Sequence, residues 1–289
     1  MAPALGLDPK VIALVLLAAA LHASWNAMLK AAPDRITTSA VMNLTGLAAG
    51  AALALFVAMP ASASWIFILL SVAIHFGYFV FLLGSYRYGD LSQVYPLARG
   101  IGPLIVAFVS PWLIGEHLGR LQLVGVVLLS LSILSLAFNR MRLRELANWK
   151  PLVMALATGG TIAAYTVVDG LGVRVSASPF GYIAWLFILD GVSMAVLAAA
   201  LRRRTLGSAV CSIWKPAVLS GFISILAYGI VIWCYNLGAI APIAALRETS
   251  VVIAAGIGSL LLHEPFGRWR IVAASFCAVG IVAINLPLG

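Results

Sequence analysis

LSQVYPLARGIGPLIVAFVSPWLIGEHLGR (91–120) and IAPIAALRETSVVIAAGIGSLLLHEPFGR (240–268) are the two stretches whose comparison decides the fold. Each is an apolar run with an arginine set into its first third, and each leaves through an acid, a glycine and a second arginine. Arg99 and Arg247 correspond at an offset of 148, and at that offset Glu116 matches Glu264, Gly119 matches Gly267, Arg120 matches Arg268 and Val124 matches Val272. At an offset of 149, Tyr86 matches Tyr235 and Gly89 matches Gly238. Rare polar residues falling in register within an apolar background mark a duplication.

Outward from these two stretches, apolar runs long enough to cross about 30 Å of hydrocarbon recur along the chain. They lie near 10–31, 37–59, 64–86, 92–114, 121–139, 151–173, 179–201, 216–237, 240–262 and 268–287. Proline or glycine beside charge separates them, as at Pro33-Asp34-Arg35, Gly89-Asp90, Gly119-Arg120 and Gly267-Arg268, which suits helix ends leaving a membrane. The expected fold is therefore an all-α polytopic membrane protein of ten transmembrane helices. Residues 1–144 form the first five-helix repeat and 145–289 the second. Five is odd, so the second copy enters the membrane the opposite way round. Inverted repeats are a mark of alternating-access carriers, whose site lies near the midplane between the halves. Gly46 and Gly50 read as devices for close helix packing.

Composition excludes other classes. Of 289 residues, 63% are hydrophobic and 9% charged, and the mean hydropathy is +1.08. A soluble domain carries roughly 45–50% apolar and about 25% charged residues. A soluble enzyme, a nucleic-acid-binding domain and a disordered chain are all incompatible with these values. Cys211, Cys234 and Cys277 are isolated and show neither a disulfide framework nor metal-ligand spacing. The N-terminal apolar run carries only Lys10 ahead of it and continues through Trp25 and Asn26, so it does not read as a cleavable signal.

The strings GDLSQVYPLARG (89–100), AAYTVVDGLGVR (163–174), AALRETSV (244–251) and HEPFGR (263–268) resemble EamA-type members of the drug/metabolite transporter superfamily. The resemblance covers essentially the whole chain. It implies a ten-helix carrier, usually an exporter of amino acids or related small metabolites, and names no single substrate.

The net charge of +9 resides mostly in loops. Loops after the odd-numbered spans hold Lys30, Arg35, Arg87, Arg140, Arg142, Arg144, Lys150, Arg202, Arg203, Arg204, Lys215, Arg268 and Arg270. The N-terminus and the alternate loops hold only Lys10, Arg120 and Arg174. The positive-inside rule then places both termini outside the cytoplasm of a cell (inner) membrane. Members of the family are often drawn with their termini inside, so charge and resemblance disagree here.

Charged groups within a span cost roughly 2.5–3.5 kcal/mol and mark partners or wet cavities. Arg99 and Arg247, each about 12 Å into its span at 1.5 Å per residue, either flank a common chamber as docking points for carboxylate or phosphate, or pair with acids and carbonyls to lock the bundle. The first reading favours zwitterionic or anionic substrates. Glu248 projects about 100° from Arg247 on an ideal helix, so it is expected to pair with another helix. Asp190, at the middle of the seventh span, and Asp169, near the end of the sixth, are candidate proton-coupling carboxylates or packing aspartates. His75, Tyr78, Leu82 and Tyr86 share one helix face, and Ser224, Tyr228, Val231 and Tyr235 share the corresponding one. His75, Tyr78 and Tyr228 are the deeper candidates for a substrate wall, whereas Tyr86 and Tyr235 also fit an interfacial belt. His22, Asn26 and Lys30 share a face with Trp25 beside it, Tyr165 stands on a face with Asp169, and Trp185 either caps the chamber or packs in the core. Pro96, Pro103 and Pro111 interrupt the fourth span, to bend it during gating or to shape a static cavity.

The competing classes lack their signatures. GxSxG is absent, His263-Glu264 lacks the second histidine of HExxH, and Gly100-Ile-Gly102 lies inside a span. A channel requires a continuous polar pore. A flippase of a lipid-linked carrier is an alternative within the same superfamily. The expectation is a monomeric carrier of a small molecule in a lipid bilayer, with no cofactor, metal or nucleic-acid partner.

Overall fold

The computed structural model describes residues 7–88, 91–138, 149–202, 206–261 and 268–286. Among them every regular element is helical. The helices are α1 (Pro9–Ala31), α2 (Arg35–Ala54), α3 (Trp65–Tyr88), α4 (Leu91–Leu113), α5 (Arg120–Phe138), α6 (Trp149–Arg174), α7 (Pro179–Arg202), α8 (Leu206–Tyr235), α9 (Ile240–Arg247), α10 (Ser250–Leu261) and α11 (Arg268–Asn285). A short 3₁₀ turn, Ser62–Ser64, precedes α3. The segments 1–6, 89–90, 139–148, 203–205, 262–267 and 287–289, with the Gly89, Glu264 and Gly267 repeat positions, lie outside the described residues.

Local chemistry starts these helices where the sequence bends. Asp34 caps α2 by accepting from the backbone N–H of Ile36 at 3.1 Å and of Thr37 at 3.2 Å, two donors that the helix itself leaves unpaired. Asp8 does the same for α1 ahead of Pro9, accepting from Lys10 N–H at 2.7 Å. Between α6 and α7 the chain turns through Ala177 at φ 54°, and Ser178 then accepts from Gly181 N–H at 3.2 Å.

Among the described residues seven helices meet the length and hydropathy of a membrane span, which makes this a polytopic membrane protein. Of the other expected spans, α5 and α11 are continuous helices of 19 and 18 residues, with described apolar parts Arg120–Leu136 and Ile271–Asn285. The ninth expected span is split, because its hydrogen bonding tightens to three-residue spacing at Glu248 and Thr249, whose N–H groups donate to Ala245 and Leu246. Two boundaries also move. The second helix ends at Ala54 rather than at 59, and the eighth begins at Leu206, with Pro216 inside it rather than at its start. α4 carries Pro96, Pro103 and Pro111 within one continuous helix.

The most extensive packing joins α2 to α7, α3 to α6 and α5 to α11, followed by α4 with α6 and α1 with α8. Backbones meet closely at two of these seams. A Cβ added at Gly50 would lie 2.6 Å from the Ala184 carbonyl oxygen, while Gly46 has ordinary space. Gly125 and Gly280 face each other across α5 and α11, where a Cβ on either would come within 2.7 and 3.0 Å of the other's carbonyl oxygen. Large apolar side chains such as Phe108, Trp112 and Val196 project outward, as a bilayer-facing surface requires.

Candidate functional site

The helices gather their ends on two faces. On one face, contacts draw together the α2–α3, α4–α5 and α6–α7 connections and the α8–α9 turn. This face is closed by polar contacts. Arg174, at the end of α6, donates to Glu116 Oε1 at 2.6 Å, to the Gly238 carbonyl at 2.7 Å and to the Tyr235 carbonyl at 2.9 Å. Glu116 Oε2 accepts from Ile240 N–H at 2.8 Å, so one carboxylate joins the α4–α5 connection to the starts and ends of three other helices. Nearby, Ala61 N–H donates to the Ser176 carbonyl at 2.8 Å and Ser178 Oγ to the Ala58 carbonyl at 2.9 Å.

From the middle of the bundle toward the opposite face runs a cavity of about 270 Å³. It is walled by α1 (His22, Trp25, Asn26), α2 (Arg35, Ser39, Asn43), α3 (His75, Tyr78, Phe79, Leu82), α4 (Tyr95, Arg99), α6 (Tyr165), α7 (Phe187, Asp190) and α8 (Ser224, Tyr228). The two faces read from residue spacing, His75 with Tyr78 and Leu82, and Ser224 with Tyr228, do look into one interior. His22, Tyr95, Phe79 and Asn43 complete the wall. Of these, Tyr95 and Asn43 carried no distinguishing spacing in the sequence and were not expected there.

Aromatic rings interlock along this wall. The His75 ring centroid lies 4.4 Å from that of Tyr165 and 5.7 Å from that of Tyr228, and Tyr165 lies 6.0 Å from Tyr228 and 6.1 Å from Tyr78. Asp190 Oδ2 faces His75 Nδ1 at 3.2 Å, while Ser71 Oγ approaches the same nitrogen at 3.3 Å.

Beside the cavity sits a buried charge triad. Arg99 Nε lies 2.6 Å from Glu248 Oε2, an ion pair in distance whose N–H does not point along the contact. Arg247 donates to Glu248 Oε1 from Nε at 3.1 Å and from an amino group at 2.9 Å. The expectation that Glu248 would turn away from Arg247 is thus corrected. The helix tightens at Glu248, which caps α9, and the ideal 100° separation no longer applies there. Glu248 does also pair with another helix, through Arg99 of α4. Two guanidiniums meet one carboxylate, and the aromatic faces of Tyr95 (5.8 Å from Arg99) and Tyr165 (5.7 Å from Arg247) help to solvate the excess positive charge. Arg99 edges the cavity, whereas Arg247 and Glu248 stand behind its wall.

Asp169 also lies behind the wall, fully buried. Tyr182 donates to its Oδ1 at 2.9 Å, and Tyr228, a cavity residue, donates to its Oδ2. Trp185 packs against Trp65 at 5.1 Å between centroids and does not line the cavity. Tyr235 is fully buried in the protein core rather than in an interfacial belt. The side chains of Tyr86 and Lys30 lie outside those described. Among the described residues no cluster of three or more histidine, cysteine or acidic side chains is placed to hold a metal ion.

Residues 9–138 match the EamA-like transporter family. A crystal structure of another protein, 16% identical in sequence, superposes with a TM-score of 0.73 over 96% of this chain and 98% of its own, a likeness of fold. No curated protein matches the chain.

Proposed function

We propose, from the match of residues 9–138 to the EamA-like transporter family, that this multi-pass membrane protein is a secondary active carrier of the drug/metabolite transporter superfamily. In this reading it exports amino acids or related small metabolites across the cell (inner) membrane. It works by alternating access between two inverted five-helix halves, the split ninth span counting as one crossing. The observation that carries the reading is a central cavity that reaches one face of the bundle while the other face is held shut by Arg174 and Glu116. A channel requires a passage through both faces.

Packing supports the inverted repeat. Helices equivalent between halves, α2 with α7 and α5 with α11, pack directly on each other, as elements beside a twofold axis do. The α3–α6 contact has its counterpart in α8–α1. The cavity extends toward the face carrying the basic loops, as Arg35 at its edge marks. With the basic loops in the cytoplasm and the termini outside, the structure is an inward-facing state. A reporter fused to the C-terminus reads as extracytoplasmic under this assignment, and a cytoplasmic reading reverses it.

Trp25, Asn26, His75, Tyr78, Arg99, Tyr165 and Tyr228 form the substrate wall in this proposal, with Arg247, Glu248 and Trp185 supporting it from behind. Asp190 and Asp169 are the carboxylates available for proton coupling, since each is within the membrane and each contacts a cavity aromatic or imidazole. Glu248 offsets only one of the two arginine charges, and the positive charge left over suits a substrate that carries a carboxylate, zwitterionic or anionic. Saturable counterflow of radiolabelled amino acids in proteoliposomes tests the proposal. Leak without saturation, or no flux across a broad amino-acid panel, refutes it.

A further inference from the structure

The cavity wall carries acceptors that no described residue pairs. Asn26 spends an amide N–H on the His22 carbonyl at 2.7 Å, and Asn43 spends one on the Ser39 carbonyl at 2.8 Å. Neither amide oxygen has a donor among the described residues. Asp190 directs Oδ2 to His75, and its buried Oδ1 has no hydrogen-bond partner among the described residues. Asn43 and Asp190 stand on helices whose backbones meet closely: a Cβ at Gly191 would lie 2.7 Å from the Asn43 carbonyl oxygen, and both side chains line the cavity. Arg99, the guanidinium at the cavity edge, has its charge paired with Glu248 and donates to Ser250 at 3.2 Å, while its buried Nε has no aligned acceptor among the described residues.

A carboxylate oxygen without a donor, two amide oxygens and neighbouring aromatic faces make a receptor for an ammonium group, whose N–H bonds need acceptors and whose charge is attracted by ring faces. We propose that Asp190, with the amide oxygens of Asn26 and Asn43, receives a protonated amine of the substrate. The apolar body of that substrate lies against Tyr78, Tyr165 and Tyr228. This rests on the carrier reading above and narrows it: the recognised charge is a cation, and a carboxylate on the substrate is dispensable. It also divides the two intramembrane carboxylates, with Asp190 for the substrate and Asp169, behind the wall, for the coupled proton.

Three probes with one phenyl body test this by calorimetry on the purified full chain: phenethylamine, L-phenylalanine and 3-phenylpropionate. The two amines bind and the propionate binds at least about tenfold more weakly, the equivalent of about 1.4 kcal/mol. Asp190→Asn weakens both amines by about tenfold or more with an unchanged thermal midpoint. Should that variant fail to fold, the ranking of probes on the wild-type chain decides by itself. Propionate binding as tightly as phenethylamine, no binding of any probe, or an Asp190→Asn variant of unchanged affinity each overturns the proposal. Proteoliposome counterflow separates it from the carrier reading. Phenethylamine that binds through Asp190 without counterflow refutes the carrier and keeps the ammonium site. Counterflow of 3-phenylpropionate alone does the reverse.

Discussion

Arg174 and Glu116 meet at 2.6 Å on the face opposite the cavity mouth, and between them they tie the α4–α5 connection to the ends of three helices. Both are partly buried, at 30% and 16% exposure, so the pair is a clamp rather than a freely solvated surface bridge.

Breaking this clamp weakens the seal without emptying the cavity. Glu116→Gln removes the charge from a bond worth about 1.5–3 kcal/mol in full burial, and less at this exposure. A cysteine placed at the buried Ser176 is silent to a membrane-impermeant maleimide in the wild-type background and labels in the Glu116→Gln background. Equal labelling in the two backgrounds contradicts the role given to the clamp.

Glu248→Gln leaves Arg99 and Arg247 buried with their carboxylate gone. Removing one partner of a buried ionic network costs about 3–5 kcal/mol. The variant unfolds in detergent well below the wild-type temperature, whereas Glu248→Asp, which keeps the charge, loses much less. Matching melting curves for wild type and Glu248→Gln refute the ion-pair account.

Asp169 accepts from the hydroxyls of Tyr182 and Tyr228, and only the second of these lines the cavity. Asp169→Asn keeps the shape but removes the titrating group. It abolishes transport driven by a proton gradient and preserves counterflow, measured in the same proteoliposomes with and without the gradient. Retained proton-driven accumulation assigns the coupling elsewhere.

Gly125 and Gly280 leave no room for a side chain on either helix. Gly125→Val forces α5 from α11 and destabilises the protein by about 1–3 kcal/mol as an overpacked seam, seen as a lower thermal midpoint. Gly160, which has open space where its Cβ would go, accepts alanine without such a loss.

Ala177 holds φ at 54°, a left-handed conformation costing an L-residue roughly 1–2 kcal/mol. Ala177→Gly therefore raises stability by up to about 1 kcal/mol, partly offset by the greater freedom of glycine in the unfolded chain. A lower midpoint in thermal unfolding sinks this expectation.

Much of the site was legible from helical spacing. His75, Tyr78 and Leu82, and likewise Ser224 and Tyr228, share faces because residues three and four apart do so on any helix. Arg99, Arg247, Asp169 and Asp190 stood out because charge is costly in hydrocarbon. Spacing did not reveal which of them would touch the cavity. Asn43 and Tyr95 carry no charge and no special pattern, so only packing brings them to the wall. Tyr235 fitted an interfacial belt from its place at a helix end, but packing buries it in the core.

By itself, then, the sequence determined that this chain lives in lipid as a bundle of apolar helices with a few charges inside, since hydropathy and desolvation act residue by residue. The tertiary structure alone decided how those charges are shared: Glu248 between two arginines, Asp190 with His75, Asp169 with two tyrosines, and Arg174 with Glu116. Electrostatic pairing depends on distances of a few ångströms between helices far apart in the chain, and linear order does not encode those distances.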